Sequence, residues 1–116
     1  MASPVMHFEI WAKNSKKQTA FYKKLLGWKI DAKNPMHYGL VSTGSKRGIG
    51  GGIMQNDKGV KPGVTFYVEV KDLQKTLDQA RKLGGKVVMK PYKIEGMGIS
   101  IAMFRDPEGN MIGIMK

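Results

Sequence analysis

The sequence predicts an α+β fold of two βαβββ modules, their strands forming a cupped mixed sheet with the helices on its outer face. Three observations carry this expectation. The chain repeats itself when slid by 58 residues without gaps, which sets residues 7–30 on residues 65–88. Each copy opens with a segment that alternates in polarity and continues into one with helical periodicity. Glycines then stop both helical segments, and three further strand-like runs follow each. The whole chain reads as one domain over residues 1–116, with module one at about 4–56 and module two at about 62–116.

The identical pairs in the repeat are Phe8/Phe66, Lys13/Lys71, Lys17/Lys75, Lys24/Lys82, Leu25/Leu83 and Gly27/Gly85. Lysine matches carry little weight in so lysine-rich a chain. The shared order of local signals carries more. Strands are expected at Val5–Ala12 and 64–70. A helix N-cap follows, at Asn14 or Ser15 in the first copy and at Asp72 in the second, where a side-chain oxygen accepts from a free amide of the first turn. In the second helix Leu73, Leu77, Ala80 and Leu83 form one apolar stripe. In the first, Phe21 with Leu25 and Tyr22 with Leu26 are expected to do the same. Gly27 and the Gly84-Gly85 pair end the helices, because glycine enters the left-handed region without a steric penalty. The remaining strands are expected at 28–32, 36–42 and 48–55, then at 86–89, 97–105 and 110–116, separated by loops rich in Gly, Pro, Asn and Ser.

Length and composition suit one modest core: 116 residues, 41% of them hydrophobic. Cysteine is absent, which excludes disulfides, cysteine-ligated zinc and thiol nucleophiles and suits a reducing cytoplasm. No apolar run approaches the ~20 residues that cross a bilayer. The opening Met1-Ala2-Ser3-Pro4 has neither a charged nor an apolar signal region, so the expected location is cytoplasmic. Twenty Lys plus Arg against nine Asp plus Glu give a net charge of +11. Much of that charge lies along helix faces (Lys16, Lys17, Lys23 and Lys24; Lys75, Arg81 and Lys82), as solvated surfaces do. No arginine-rich block or nucleic-acid signature accompanies it, so specific nucleic-acid binding is not expected.

Alternation sorts the strand residues into faces. Phe8, Ile10 and Ala12 oppose His7, Glu9 and Trp11; Phe66, Val68 and Val70 oppose Thr65, Tyr67 and Glu69. The apolar sets belong under the helices. The mixed sets line the concavity of a pocket, or face solvent or a partner subunit. Trp11 and Tyr67 favour a pocket or interface, since small-molecule sites combine aromatic walls with a few polar groups. Glu9 and Glu69 could equally form surface ion pairs of little consequence.

His7-Phe8-Glu9-Ile10, the run Phe21-Tyr22-Lys23-Lys24-Leu25-Leu26-Gly27-Trp28, and Asp106-Pro107-Glu108-Gly109-Asn110 together resemble the glyoxalase/bleomycin-resistance/dioxygenase proteins, the vicinal-oxygen-chelate superfamily. Gly50-Gly51-Gly52, Gly84-Gly85-Lys86-Val87-Val88-Met89 and Gly96-Met97-Gly98 resemble in addition its subgroup of predicted lactoylglutathione lyase-related proteins. The resemblance implies paired βαβββ modules and a homodimer in which modules pair between chains. In catalytic members it implies a metal held from the first strand of each module and from the last strand. His7 is the only retained ligand position; its counterpart is Thr65, and the carboxylate slot on the last strand is Gly113. Residues 48–55 contain no Asp, Glu or His. A divalent ion takes three or more N or O donors, which one imidazole and one hydroxyl do not supply. Glu9 and Glu69 stand two or more residues, roughly 7 Å or more, along their strands from the inherited positions. His37 is read as structural.

The expected function is therefore a metal-free small-molecule-binding protein without a cofactor. Trp11 and Tyr67 would stack on an anionic or aromatic ligand, and His7, Glu9, Thr65 and Glu69 would orient it. Met111 and Met115 would adapt to its shape while Gly113 leaves room. The alternatives are a metal-dependent lyase or dioxygenase with a rebuilt site, and a metal-independent enzyme with His7 or Glu9 as the proton-moving catalytic residue. A third is an antibiotic-sequestering protein, although a chain at +11 would repel cationic bleomycin.

Overall fold

The computed structural model describes residues 2–116. It contains eight strands and two helices, an α+β chain with mixed strand pairing. It divides into two compact units: His7–Val64, and Thr65–Lys116 with the amino-terminal residues through Met6. The division falls between residues 64 and 65, with the amino-terminal residues grouped with the second unit. The amide of Glu69 donates to the Pro4 carbonyl at 2.9 Å, which ties the first residues to module two. Asn56 Nδ2 donates to the Lys61 carbonyl at 2.9 Å, which keeps the connector with module one.

Module one comprises β1 (Val5–Ala12), α1 (Ser15–Leu26), β2 (Lys29–Asp31), β3 (Gly39–Ser42) and β4 (Gly51–Gln55), in the sheet order β2-β3-β4-β1. The last strand returns beside the first and runs parallel to it, with Glu9 opposite Gly52 and Trp11 opposite Met54. Module two repeats the plan with β5 (Gly63–Glu69), α2 (Leu73–Lys82), β6 (Lys86–Ile94), β7 (Ile99–Arg105) and β8 (Met111–Met115), in the order β5-β8-β7-β6. Here Tyr67 lies opposite Gly113 in the parallel pair.

Asn14 is the first N-cap, its Oδ1 accepting from the Lys17 amide at 3.1 Å; Asp72 does the same for Lys75 at 3.0 Å. Gly27 ends α1 at φ 70°, a conformation that a side chain would strain. α2 buries Leu73 and Leu77 against Ala102 and Ile114, with Val68, Val70, Val87 and Phe104 around them. Leu83 falls beyond the helix and stays exposed, which shortens the expected stripe.

α1 departs further from expectation. It buries no residue fully, and Phe21, Leu25 and Leu26 are 54%, 62% and 52% exposed. Of its aromatic and leucine side chains only Tyr22 is partly buried, stacked on Trp28 with ring centroids 5.0 Å apart; Trp28 in turn tilts against Phe8 at 5.3 Å. This aromatic series, backed by Ile10, Ala12, Val41 and Ile53, fills the space that a leucine stripe would occupy. Phe66, expected under the second helix, also remains more than a third exposed.

Several strands differ in length from the sequence reading. β3 begins only at Gly39, because a turn spans Pro35-Met36 and His37 has a positive φ of 52°. β4 starts after Gly48, at φ 78°, and β7 starts after Gly98, at φ 64°. β6 runs on through Pro91 to Ile94 with two register shifts. It lies at the outer end of its module's strand order, where a residue without an N–H is tolerated.

Candidate functional site

On the helix-free face of module one, four side chains form one hydrogen-bonded series. Tyr38 donates its hydroxyl proton to Glu9 Oε2 at 2.9 Å, and Trp11 Nε1–H donates to Glu9 Oε1 at 2.7 Å. His7 Nε2 lies 2.8 Å from the Tyr38 oxygen. The single phenolic proton is already given to Glu9, so His7 Nε2 carries the proton of that third bond. Glu9 is only 5% exposed, and a carboxyl group withdrawn from water needs its oxygens bonded. Both are. Burial also holds the His7 imidazole below its ordinary pKa, with the nearby Glu9 opposing the shift, which favours a neutral ring.

Sequence reasoning brought His7, Glu9 and Trp11 together but missed Tyr38. Asn34 explains how this loop residue reaches the site. Its Oδ1 accepts from the Tyr38 amide at 2.9 Å and its Nδ2 donates to the Tyr38 carbonyl at 2.7 Å, clamping the backbone on both sides. The ring then lies flat on Gly52, where any β-carbon would fall inside it. On the opposite face of the same strand, Gly51 admits the Phe8 ring in the same way. Glycines within a strand signal such close approach, and the Gly50-Gly51-Gly52 run was the available clue.

Module two handles the matching positions differently. The 58-residue offset puts Tyr67 where module one has Glu9, and the register puts Gly113 where it has Gly52. The Tyr67 ring covers Gly113, so the space expected there is filled by this chain's own side chain. Thr65 is buried, its hydroxyl donating to the Met111 carbonyl at 2.7 Å. Glu69 is exposed, while Met111 and Met115 are half-buried. The Asp106-Pro107-Glu108-Gly109-Asn110 motif has a structural role: the Asp106 carboxylate accepts from the Glu108 and Asn110 amides and from Asn110 Nδ2, at 2.8–3.0 Å. Those bonds, the Asn110 side chain foremost, hold its pKa below the usual range.

Among the described residues, no three His, Cys, Asp or Glu side chains are grouped so as to hold a metal ion. Nor, among them, is any helix long and apolar enough to cross a membrane.

A model of the Glyoxalase/Bleomycin resistance protein/Dioxygenase superfamily matches residues 5–114, and the chain belongs to that superfamily. It is 28% identical over 124 residues to the uncharacterized protein YraH of Bacillus subtilis (strain 168), with 97% of each chain covered. Among solved structures it is similar to hypothetical protein BH1468 from Bacillus halodurans C-125, with a TM-score of 0.75 and 12% identity over 99% of this chain and 94% of that one. Methylmalonyl-CoA epimerase from Mycobacterium tuberculosis gives a TM-score of 0.69 at 16% identity, covering 96% and 85%. At such identities the two structures share the fold with this chain.

Proposed function

We propose that this chain is a metal-free small-molecule-binding protein whose ligand site is the helix-free face of module one. The observation that carries the reading is the Tyr38 ring seated on Gly52, with its hydroxyl between His7 and Glu9. The donor set is a poor fit to a divalent ion. The one histidine at an inherited ligand position bonds a phenol, Thr65 bonds a carbonyl, and tyrosine rings cover both Gly52 and Gly113. What the face does offer is an indole edge held in place by Glu9, a half-buried imidazole and a phenol, a set suited to orienting a planar ligand. The superfamily further supports a homodimer, which sedimentation of the purified chain would check.

Metal analysis of the native protein, followed by calorimetric titration with zinc and nickel, tests the reading. The expected result is no stoichiometric ion and no binding that His7→Ala abolishes. A stoichiometric ion lost with His7 would overturn it in favour of the metal-dependent alternative.

A further inference from the structure

Beyond the ends of β1 and β4, beside the start of α1, module one has a basic depression that the hydrogen-bonded series does not use. It has a volume of about 460 Å³ and opens at the carboxyl ends of the parallel strands β1 and β4, lined among others by Lys13, Asn56, Lys58, Lys61 and one acid, Asp57. Its frame is pinned. Gln55 Nε2 donates to the Lys13 carbonyl at 2.5 Å while Gln55 Oε1 accepts from the Ser15 amide at 2.9 Å. The buried Asn56 gives its amide to the Ala12 carbonyl at 2.8 Å and its Nδ2 to the Lys61 carbonyl at 2.9 Å. The Asp57–Val60 turn closes the rim, with Gly59 at φ 89°. Lys13 and Lys61 therefore extend their ammonium groups from fixed backbone points. The helix end beside them adds no acid to neutralise the site: its cap is the neutral Asn14, and its first turn holds Lys16 and Lys17.

We propose that this depression is an anion seat, taking the phosphoryl or carboxylate end of a ligand whose planar part lies on Trp11. The inference rests on the reading of Trp11 and its neighbours as a ligand face. Lys13 follows Trp11 by two residues, roughly 7 Å of extended chain, which brings the two within reach of one small ligand. Three lysines against one carboxylate leave the seat with an excess of two positive charges, and an ammonium pairs with phosphate as a point charge.

Calorimetry with 1-naphthyl phosphate and 1-naphthol tests it on the full chain. The phosphate is expected to bind at least ~10-fold more tightly than the alcohol. The Lys13→Gln/Lys61→Gln variant should remove that difference and leave naphthol unaffected. Lys23→Gln/Lys24→Gln, at the far end of α1, lowers the net charge equally and should preserve the difference. Equal losses in the two double variants would show attraction to the whole protein and overturn the seat. Naphthol binding that depends on Trp11 but gains nothing from the phosphate would overturn the seat and leave the ligand face standing. Binding of neither compound would overturn both.

Discussion

Module two sinks an aliphatic helix face into its sheet, with Leu77 1% exposed, whereas α1 of module one buries no residue fully and leaves its leucines exposed. The helix-free faces contrast as well. Module two covers Gly113 with Tyr67 from the neighbouring strand and commits Thr65 to a backbone carbonyl, so both positions serve packing. Module one keeps polar groups at those positions and brings a loop tyrosine to them. Each copy has its own core cluster, and the candidate site lies on the copy whose helix is less deeply seated.

The largest expected break in this comparison is between the helices. Leu77→Ala should destabilise by about 2–5 kcal/mol, since a fully buried leucine leaves a cavity. Leu25→Ala, on the first helix where the leucine is 62% exposed, should stay within about 0.5 kcal/mol. Urea unfolding of both variants measures this, and equal losses would remove the contrast.

Next come the glycines beneath the tyrosines. Gly113→Ala should cost about 1–3 kcal/mol, because the new carbon meets the base of the Tyr67 ring, which the strand cannot move aside. At Gly52 the obstacle is the far end of the Tyr38 ring on a loop. There Gly52→Ala should unfold the chain less and instead expel the tyrosine from the site, seen as altered shifts of the His7 and Trp11 side chains by NMR.

Tyr38→Phe sharpens the contrast at smaller scale. It removes the bridge between His7 and Glu9 and should cost roughly 1–2 kcal/mol in stability, read by urea unfolding, with the ring still on Gly52.

The smallest effect is in pH. The folded state holds His7 below its ordinary value of 6.5, so between that folded value and 6.5 the unfolded chain binds more protons. The contribution of this group is then complete above about 6.5 and declines as the pH falls through the folded value. His7→Gln should flatten that part of the stability–pH curve.

Much of this fold was legible because its signals are local. The bounds of β1, the caps at Asn14 and Asp72, and the stop at Gly27 follow from alternation, a side-chain oxygen and a left-handed glycine. The face assignment of His7, Glu9 and Trp11 was legible for the same reason. Tyr38 was not. A strand expected at 36–42 gave it no special direction, whereas the Pro35-Met36 turn and the Asn34 clamp turn it back over β4. Likewise Phe21, Leu25 and Leu26 have helical spacing, yet Trp28 takes the place beside Tyr22 that they would have filled.

By itself the sequence determined the repeat, the order of elements and which strand residues share a face, since these depend on backbone periodicity and on residues close along the chain. Only the tertiary structure decided which partner each of those residues meets. Tyr38 reaches Glu9 across twenty-nine positions and Tyr67 covers Gly113 across forty-six, contacts made by strand register and by the space a glycine leaves, which no local pattern encodes.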